Sequence, residues 1–424
     1  MRFNSVHEWL SWQESLNPKE IDLGLERVRC VLRHSGHRHH FDCPLVNVAG
    51  TNGKGSVVAF MEAMAMAAGN TVCSYTSPHL LRYNERIRIN GIETCDDDLC
   101  NAFERIDQAR ADVQLTYFEF GTLAAIDLFM QAKADLVIME IGLGGRLDAV
   151  NIMEPDVAVV TTVAEDHTDW LGTDRESIGF EKAGVYRAGR PAICGDPEPP
   201  QSLLEHAAKL QAELKLSGRD YRYERHASSW SYHDADDALE QLPLPALAGE
   251  FQLDNAATAI MALRSLPGFE TGVAAIEQGL KSVRLPGRFQ IIQQQPEIIV
   301  DVAHNAQAAA ALVTQLQERP CSGRTHGIVA MLADKPVAEV VALLRDEIDC
   351  WYTAGLDAVA RGLSAADMAV AVEQQASDVK LNSAETVAQA CAQALANVAS
   401  HDRIIIFGSF ITVADAIRFL SRQS

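Results

Sequence analysis

The sequence predicts an α/β protein in two parts: a larger amino-terminal domain over residues 1–287, built on a mainly parallel sheet, and a smaller Rossmann-like α/β domain over 288–424. Three observations carry this expectation. Short runs that are apolar without alternation, such as D-L-V-I-M-E-I from Asp135 and P-D-V-A-V-V-T-T from Pro155, read as strands covered on both faces. Helical patterns alternate with them, as in parallel sheets flanked by helices. After Leu285-Pro286-Gly287-Arg288, which reads as a hinge, I-I-V-D-V-A-H-N-A, G-I-V-A-M-L-A-D-K-P and R-I-I-I-F-G-S-F repeat the rhythm of strand then polar turn. A second domain of this length fits the usual size.

In chain order, residues 1–44 read as two helical pieces broken at Asn17-Pro18, the second beginning at I-D-L-G-L-E-R-V. His34, His37, His39 and His40 crowd the loop before the first strand; without a nearby carboxylate or cysteine framework they read as solvated rather than as a metal site. Val46, Val48 and Ala49 end a buried strand, and 57–68 reads as the helix after it. The run L-R-Y-N-E-R-I-R-I-N-G alternates charged and apolar residues before Asn90-Gly91, as a half-exposed strand and turn would. Residues 96–109 read as a helix, L-T-Y-F-E-F-G-T-L passes from a loop into an apolar helix, and 136–141 reads as a buried strand ending at a glycine cluster. Gly142, Gly144 and Gly145 evoke a dinucleotide fingerprint, but Leu147 stands where its third glycine belongs, which excludes it. Residues 196–250 turn polar and proline-bearing, reading as a helix and short antiparallel strands that close the first domain.

Composition narrows the function. With 36 basic against 57 acidic residues the chain carries −21, which argues against nucleic acid or an anionic membrane as partner. Nine scattered cysteines without a C-x-x-C pair suggest reduced thiols in a cytoplasmic protein. No secretory signal and no membrane span is visible.

Between the first strand and its helix lies G-T-N-G-K-G-S, Gly50 to Ser56. Glycines let backbone N–H groups approach phosphate oxygens, and the helix start adds a favourable dipole. Lys54 would meet the terminal phosphates and Ser56 would help hold a magnesium ion. The strict phosphate-loop pattern is not met, because Gly55 separates Lys54 from Ser56. G-T-N-G-K-G-S resembles instead the ATP loop of the Mur-type amide ligases. Read in order with S-P-H-L-L-R-Y-N-E-R, T-Y-F-E-F-G-T-L, E-I-G-L-G-G-R-L-D-A-V-N, D-H-T-D-W-L-G-T-D-R-E-S-I-G-F-E-K-A-G, N-A-A-T-A, L-P-G-R-F-Q and D-V-A-H-N-A, the chain resembles the bacterial bifunctional dihydrofolate synthase/folylpolyglutamate synthases.

That resemblance implies an ATP-dependent ligase adding L-glutamate to dihydropteroate and to reduced folates through an acyl phosphate, with Mg2+ as cofactor, acting as a monomer. Thr51, Asn52, Gly53, Lys54, Gly55, Ser56, Asn255, Arg288 and Asp301 match its nucleotide contacts. Ser77, Glu140 and His167 match its metal positions. From spacing alone, His167 reads equally as a turn histidine bonded to Asp166 or Asp169. Lys182 aligns with a lysine carbamylated in the family; by itself it is a helix lysine beside Glu181. His304 is expected near the phosphates, a catalytic position with Lys54 and Lys182. Asp22, Leu23, Gly24, the run Thr116, Tyr117, Phe118 and Glu119, and Leu147, Asp148 and Ala149 match the segments that hold the pterin. Without the resemblance, the aromatics read as core, Asn255 as a helix N-cap, Arg288 as a hinge ion-pair residue and Asp301 as a strand-end turn. ATP lying between the domains would require closure before chemistry. A cell-wall Mur ligase and a non-catalytic ATP-binding regulatory module remain as alternatives.

Overall fold

The computed structural model describes residues 1–19, 21–359, 361–376 and 379–422. The chain divides into two compact units, one of Met1–Ala246 with Gln252–Arg284, the other of Leu247–Phe251 with the chain from Leu285 onward. The change at Leu285 falls in the Leu-Pro-Gly-Arg turn that reads as a hinge. The earlier excursion of Leu247–Phe251 has no marker in the sequence.

In the first unit the strands are β1 (Leu45–Ala49), β2 (Val72–Tyr75), β3 (Ile87–Ile89), β4 (Ile92–Glu93), β5 (Leu136–Glu140), β6 (Val157–Val160), β7 (Pro191–Cys194) and β8 (Glu213–Leu216). They form one sheet in the order β4-β3-β2-β5-β1-β6-β7-β8. From β2 to β8 every pairing is parallel, and β3 and β4 are added antiparallel at one edge. β1, β2, β5 and β6 are buried at every position, which is why their sequences lack alternation. A separate antiparallel sheet follows, made of β9 (Tyr221–Arg225), β10 (Ser229–Asp234) and β11 (Ala238–Pro243).

The second unit holds β12 (Gln290–Gln294), β13 (Glu297–Asp301), β14 (Thr325–Val329), β15 (Cys350–Ala354), β16 (Lys380–Ala384) and β17 (Arg403–Phe407). Their order is β12-β13-β17-β14-β15-β16, parallel except for β12. Its core is a cluster including Ile299, Leu312, Val341, Trp351, Ile405 and Phe407.

Local details depart from expectation for identifiable reasons. The helix after β1 is Lys54–Ala67, beginning earlier than 57, because Gly53 at φ 85° serves as its N-cap and its carbonyl accepts from Val57 N at 2.9 Å. Lys54, Gly55 and Ser56 therefore form its first turn. The second amino-terminal helix is Glu26–His34, starting later than Ile21. Tyr83–Arg86 is a 3₁₀ turn rather than strand. The Glu85 carboxylate accepts from the backbone N–H groups of Leu80, Leu81 and Arg82, each at 2.7 Å, which winds the chain there. His37 has the carboxylate that the sequence did not place near it: its Nε2 lies 2.9 Å from Oδ1 of buried Asp127, which also accepts from Arg105 and Gln131. Among the described residues no cluster of His, Cys, Asp and Glu could hold a metal by itself. All nine cysteines are free. No helix of the described residues is long and apolar enough to cross a membrane.

Candidate active site

Ligands of an open parallel sheet gather beyond the carboxyl ends of its strands, where the strand order reverses. In the first unit that place is the end of β1, flanked by β5 on one side and β6 on the other. Gly50 to Lys54 leave β1 there, and the residues after β6 hold them in shape. Thr51 N donates to Thr162 O at 2.8 Å, Asn52 N to Thr162 Oγ1 at 3.1 Å, and Thr51 Oγ1 to Ala164 O at 3.1 Å. Gly50 is required at φ 147°, where a Cβ would lie 1.8 Å from Thr161 Oγ1. Gly53 is required on the opposite flank: a Cβ there would stand 2.4 Å from Asn255 Oδ1. Lys54 Nζ donates to the carbonyls of Gly50 and Thr51 at 3.0 and 3.2 Å, so the cation is already held over the loop.

Asn255 is buried inside the helix Phe251–Arg264, not at its start, so the N-cap alternative fails. It lies four residues past the helix start at Phe251, and its amide donates to Gln252 Oε1 at 3.0 Å.

One strand over, Glu140 ends β5 in register with Val48 of β1. It is buried, and its Oε2 accepts from the backbone N–H of Ser77 at 3.0 Å, which brings Ser77 and Glu140 together. Magnesium keeps several waters and takes few protein ligands, so one buried carboxylate beside a serine is a donor set that fits it. At φ 52° His167 precedes the short helix Thr168–Leu171, with its backbone N–H on Asp166 Oδ1 at 2.9 Å and Nε2 4.0 Å from Asp166 Oδ2. The Asp166 partnership expected from spacing alone is thus present.

The glycine cluster after β5 seats Lys182. Arg146 N donates to Glu181 O at 2.8 Å, and a Cβ on Gly145 would come 2.6 Å from Glu181 O and 2.8 Å from Lys182 O. Only glycine lets this turn approach the end of the helix Arg175–Ala183 so closely. Lys182 is buried, and burial pushes its ammonium down to about 7, with the Lys54 charge adding and Asp166 and Asp148 opposing. Asp148 is buried too; burial pushes its carboxyl up to about 7, against hydrogen bonds from the N–H groups of Leu143 and Val150, both at 2.9 Å, and the Lys54 charge. Lys54, Lys182, Asp148 and Asp166 therefore form one electrostatic group.

The remaining segments matched to a pterin site assemble around the helix Tyr117–Gln131. Thr116 and Glu119 form a reciprocal capping box. Glu119 Oε1 also accepts from Arg27 at 2.9 Å, and Arg27 pairs with Asp22 at 2.8 Å. Arg27 was missed by sequence reasoning; no motif marks it, although it ties two of the expected segments. Phe118 packs against Gly142, where a Cβ would meet its ring at 2.4 Å, and Tyr117 meets Tyr83 edge-on at 5.6 Å with the Arg86 guanidinium 5.7 Å from the Tyr117 ring centre. Both aromatics are half-buried. Leu23, Gly24 and Leu147 are half-buried and Ala149 is buried, at the start of the 3₁₀ turn Ala149–Ile152 that Asp148 caps.

In the second unit, Asp301 ends β13 and is buried, accepting from Phe289 N and Ala303 N at 2.7 Å each. Burial raises its carboxyl, and the Arg288 charge opposes. Val302 N donates to Gly287 O at 3.0 Å, which fastens the turn carrying Arg288 to the same strand end. The Arg288 guanidinium lies 5.1 Å from the Phe410 ring centre, and His304 Nδ1 lies 2.8 Å from Val302 O. Arg288, Asp301 and His304 are thus brought to the carboxyl end of β13.

Two domain models match the chain: the Mur ligase middle domain over residues 48–263 and the Mur ligase glutamate ligase domain over 287–410. By these matches and its fold it belongs to the Mur ligase family. A dihydrofolate synthase/folylpolyglutamate synthase of Escherichia coli is 45% identical, covering 98% of this chain and 95% of its own, and one of Haemophilus influenzae is 38% identical over 96% of each. A solved E. coli FolC in complex with DHPP and ADP superposes with a TM-score of 0.93 at 44% identity over 99% of both chains. A bifunctional folylpolyglutamate synthase/dihydrofolate synthase with Mn, AMPPNP and L-glutamate bound gives 0.90 at 42% identity, over 99% of this chain and 98% of that one. The chain belongs to the dihydrofolate synthase/folylpolyglutamate synthase family, and is an ATP-dependent ligase.

Proposed function

We propose that this protein uses ATP to join L-glutamate to the carboxylate of dihydropteroate, giving dihydrofolate, and that it extends reduced folates with further glutamates. The observation that supports this reading most is the meeting, at adjoining strand ends, of the Gly50–Ser56 loop with its lysine and the bonded pair Ser77 and Glu140. A nucleotide loop beside a donor set suited to magnesium is what phosphoryl transfer requires, since that chemistry needs positioning and charge neutralisation more than a nucleophilic side chain.

A carboxylate oxygen is a poor leaving group, so the acid must first be activated. Its oxygen attacks the γ-phosphorus, the bond to the β-phosphate oxygen breaks, and ADP departs, leaving an acyl phosphate. The glutamate amine then attacks the acyl carbon, loses a proton, and inorganic phosphate leaves as the amide forms. Lys54 would swing from the loop carbonyls to the β- and γ-phosphates, while the N–H groups of Thr51 to Ser56 orient them. Ser77, Glu140 and His167 would hold Mg2+, which when bound supplies positive charge to the transferring phosphoryl oxygens.

Lys182 would act as its carbamate. An amine near neutral at physiological pH attacks CO2, forms an N–C bond and releases a proton, replacing a cation by an anion beside Lys54. Asn255, Arg288 and Asp301 would contact the nucleotide, Asp301 at a ribose hydroxyl, and His304 would lie near the phosphates. Asp22 to Gly24, Thr116 to Glu119 and Leu147 to Ala149 would hold the pterin, with Tyr117 and Phe118 supplying flat apolar surface. The reading places the enzyme in the cytoplasm as a monomer, with the division of labour between residues 1–287 and 288–424 that the hinge marks.

The test is direct. Protein is incubated with ATP, magnesium and L-glutamate, with dihydropteroate or a reduced folate supplied separately, and products are read by mass spectrometry. A glutamyl adduct of each acceptor is expected; nucleotide binding without either adduct overturns the proposal.

A further inference from the structure

The helix Phe251–Arg264 carries two buried amides on one face, Gln252 and Asn255, three residues apart. Asn255 is held from both ends. Its Nδ2 donates to Gln252 Oε1 at 3.0 Å, and its Oδ1 abuts Gly53, 2.4 Å from where a Cβ would stand. The two ends of an asparagine amide are nearly identical in shape, so packing alone does not decide which faces the loop. The two amides constrain each other: with Oε1 of Gln252 opposite, rotation of Asn255 alone would set two oxygens against each other. Gln252 is 1% exposed, and its Nε2 makes no hydrogen bond among the described residues. A buried amide donor left unmatched is unusual in a helix that could have carried leucine there, and it points to a role other than packing.

We infer that Gln252 is a positioning residue for nucleotide binding, which sets the amide of Asn255 so that its oxygen is presented to the Gly53 turn. This rests on the proposed ATP site. Gln252 itself touches no substrate in this account; it acts through Asn255.

The experiment compares the KM for ATP of the full-length enzyme with those of Gln252→Met, Gln252→Glu, Asn255→Ala and the double variant Gln252→Met/Asn255→Ala. Binding of a fluorescent ADP analogue, measured without folate or glutamate, supplies a readout that does not depend on ligation. Gln252→Met, which loses the acceptor at similar volume, is expected to raise the KM and weaken ADP-analogue binding about tenfold, with kcat within about twofold. Gln252→Glu keeps the acceptor and stays within about threefold of the parent. In the double variant the penalty equals that of Asn255→Ala alone, because the two act as one unit. An unchanged KM in Gln252→Met, a Glu variant as weak as the Met variant, or penalties that multiply in the double variant each overturn the inference. If Gln252→Met does not fold, Gln252→Asn, whose amide falls one methylene short, takes its place with the same expectations. A parent enzyme that binds the ADP analogue yet forms no folate product sinks the ligase reading while leaving this comparison intact.

Discussion

Replacing Gly53 by alanine tests the geometry of the loop most sharply, because two separable penalties apply. At φ 85° an alanine costs about 1–2 kcal/mol that glycine does not. Its Cβ would also stand 2.4 Å from Asn255 Oδ1, too close for any real contact. Asn255 can yield only by giving up its 3.0 Å hydrogen bond to Gln252, which adds about 1 kcal/mol. Together these amount to roughly 2–3 kcal/mol, or about 30- to 150-fold. The loop that bears the strain is the one proposed to wrap the phosphates, so the loss is expected in kcat/KM for ATP, measured by ADP release at saturating co-substrates. In an Asn255→Ala background the overlap disappears and only the backbone penalty of about 1–2 kcal/mol survives, so the same substitution should cost about 5- to 30-fold. A Gly53→Ala enzyme within twofold of the parent, or an equal penalty in both backgrounds, would refute the reasoning.

Lys54→Met should lower kcat by about 10²–10³-fold while lowering the unfolding free energy from urea titration by less than about 1 kcal/mol, since among the described residues Nζ bonds two loop carbonyls; a comparable fall in stability would count against a phosphate role. Lys182 sets a pH signature. Its folded-state value near 7 lies below the ordinary 10.5, so between them the unfolded chain binds the extra proton and stability climbs with pH, by at most about 1.4 kcal/mol per unit. Urea midpoints from pH 7.5 to 9.5 in CO2-free buffer should show that rise, and Lys182→Met should flatten it; equal slopes would contradict a buried neutral amine. Asp127→Asn should cost about 1–3 kcal/mol of stability, by weakening its bonds to His37, Arg105 and Gln131, and leave the KM for ATP unchanged; a changed KM would mean that this cluster reaches the nucleotide site.

Much of the fold was legible because both-face burial leaves a mark in sequence: β1, β5, β6 and β17 are runs that carry little beyond apolar residues. The passage from loop into helix near Thr116 and the glycine-rich turn after β1 were legible for the same local reason, since each satisfies a backbone need within a few residues. Less visible were the winding of Tyr83–Arg86 around Glu85 and the pairing of His37 with Asp127. The alternation near Ile87 looks the same whether the preceding residues form strand or turn, and residues ninety apart advertise no contact.

The order of residues alone determined the class of sheet, the glycine-rich loop between β1 and its helix, and the family the chain belongs to, because those rest on periodicity and on motifs that are local along the backbone. Only tertiary structure decided that Asn255 stands behind Gly53, that Ser77 is bonded to Glu140, that Arg27 joins Asp22 to Glu119, and that Lys182 is buried beside the Lys54 charge. The physical reason is that the protonation of a buried group and the orientation of an amide depend on what packs against them. Those neighbours arrive from distant segments once the strands have taken their places.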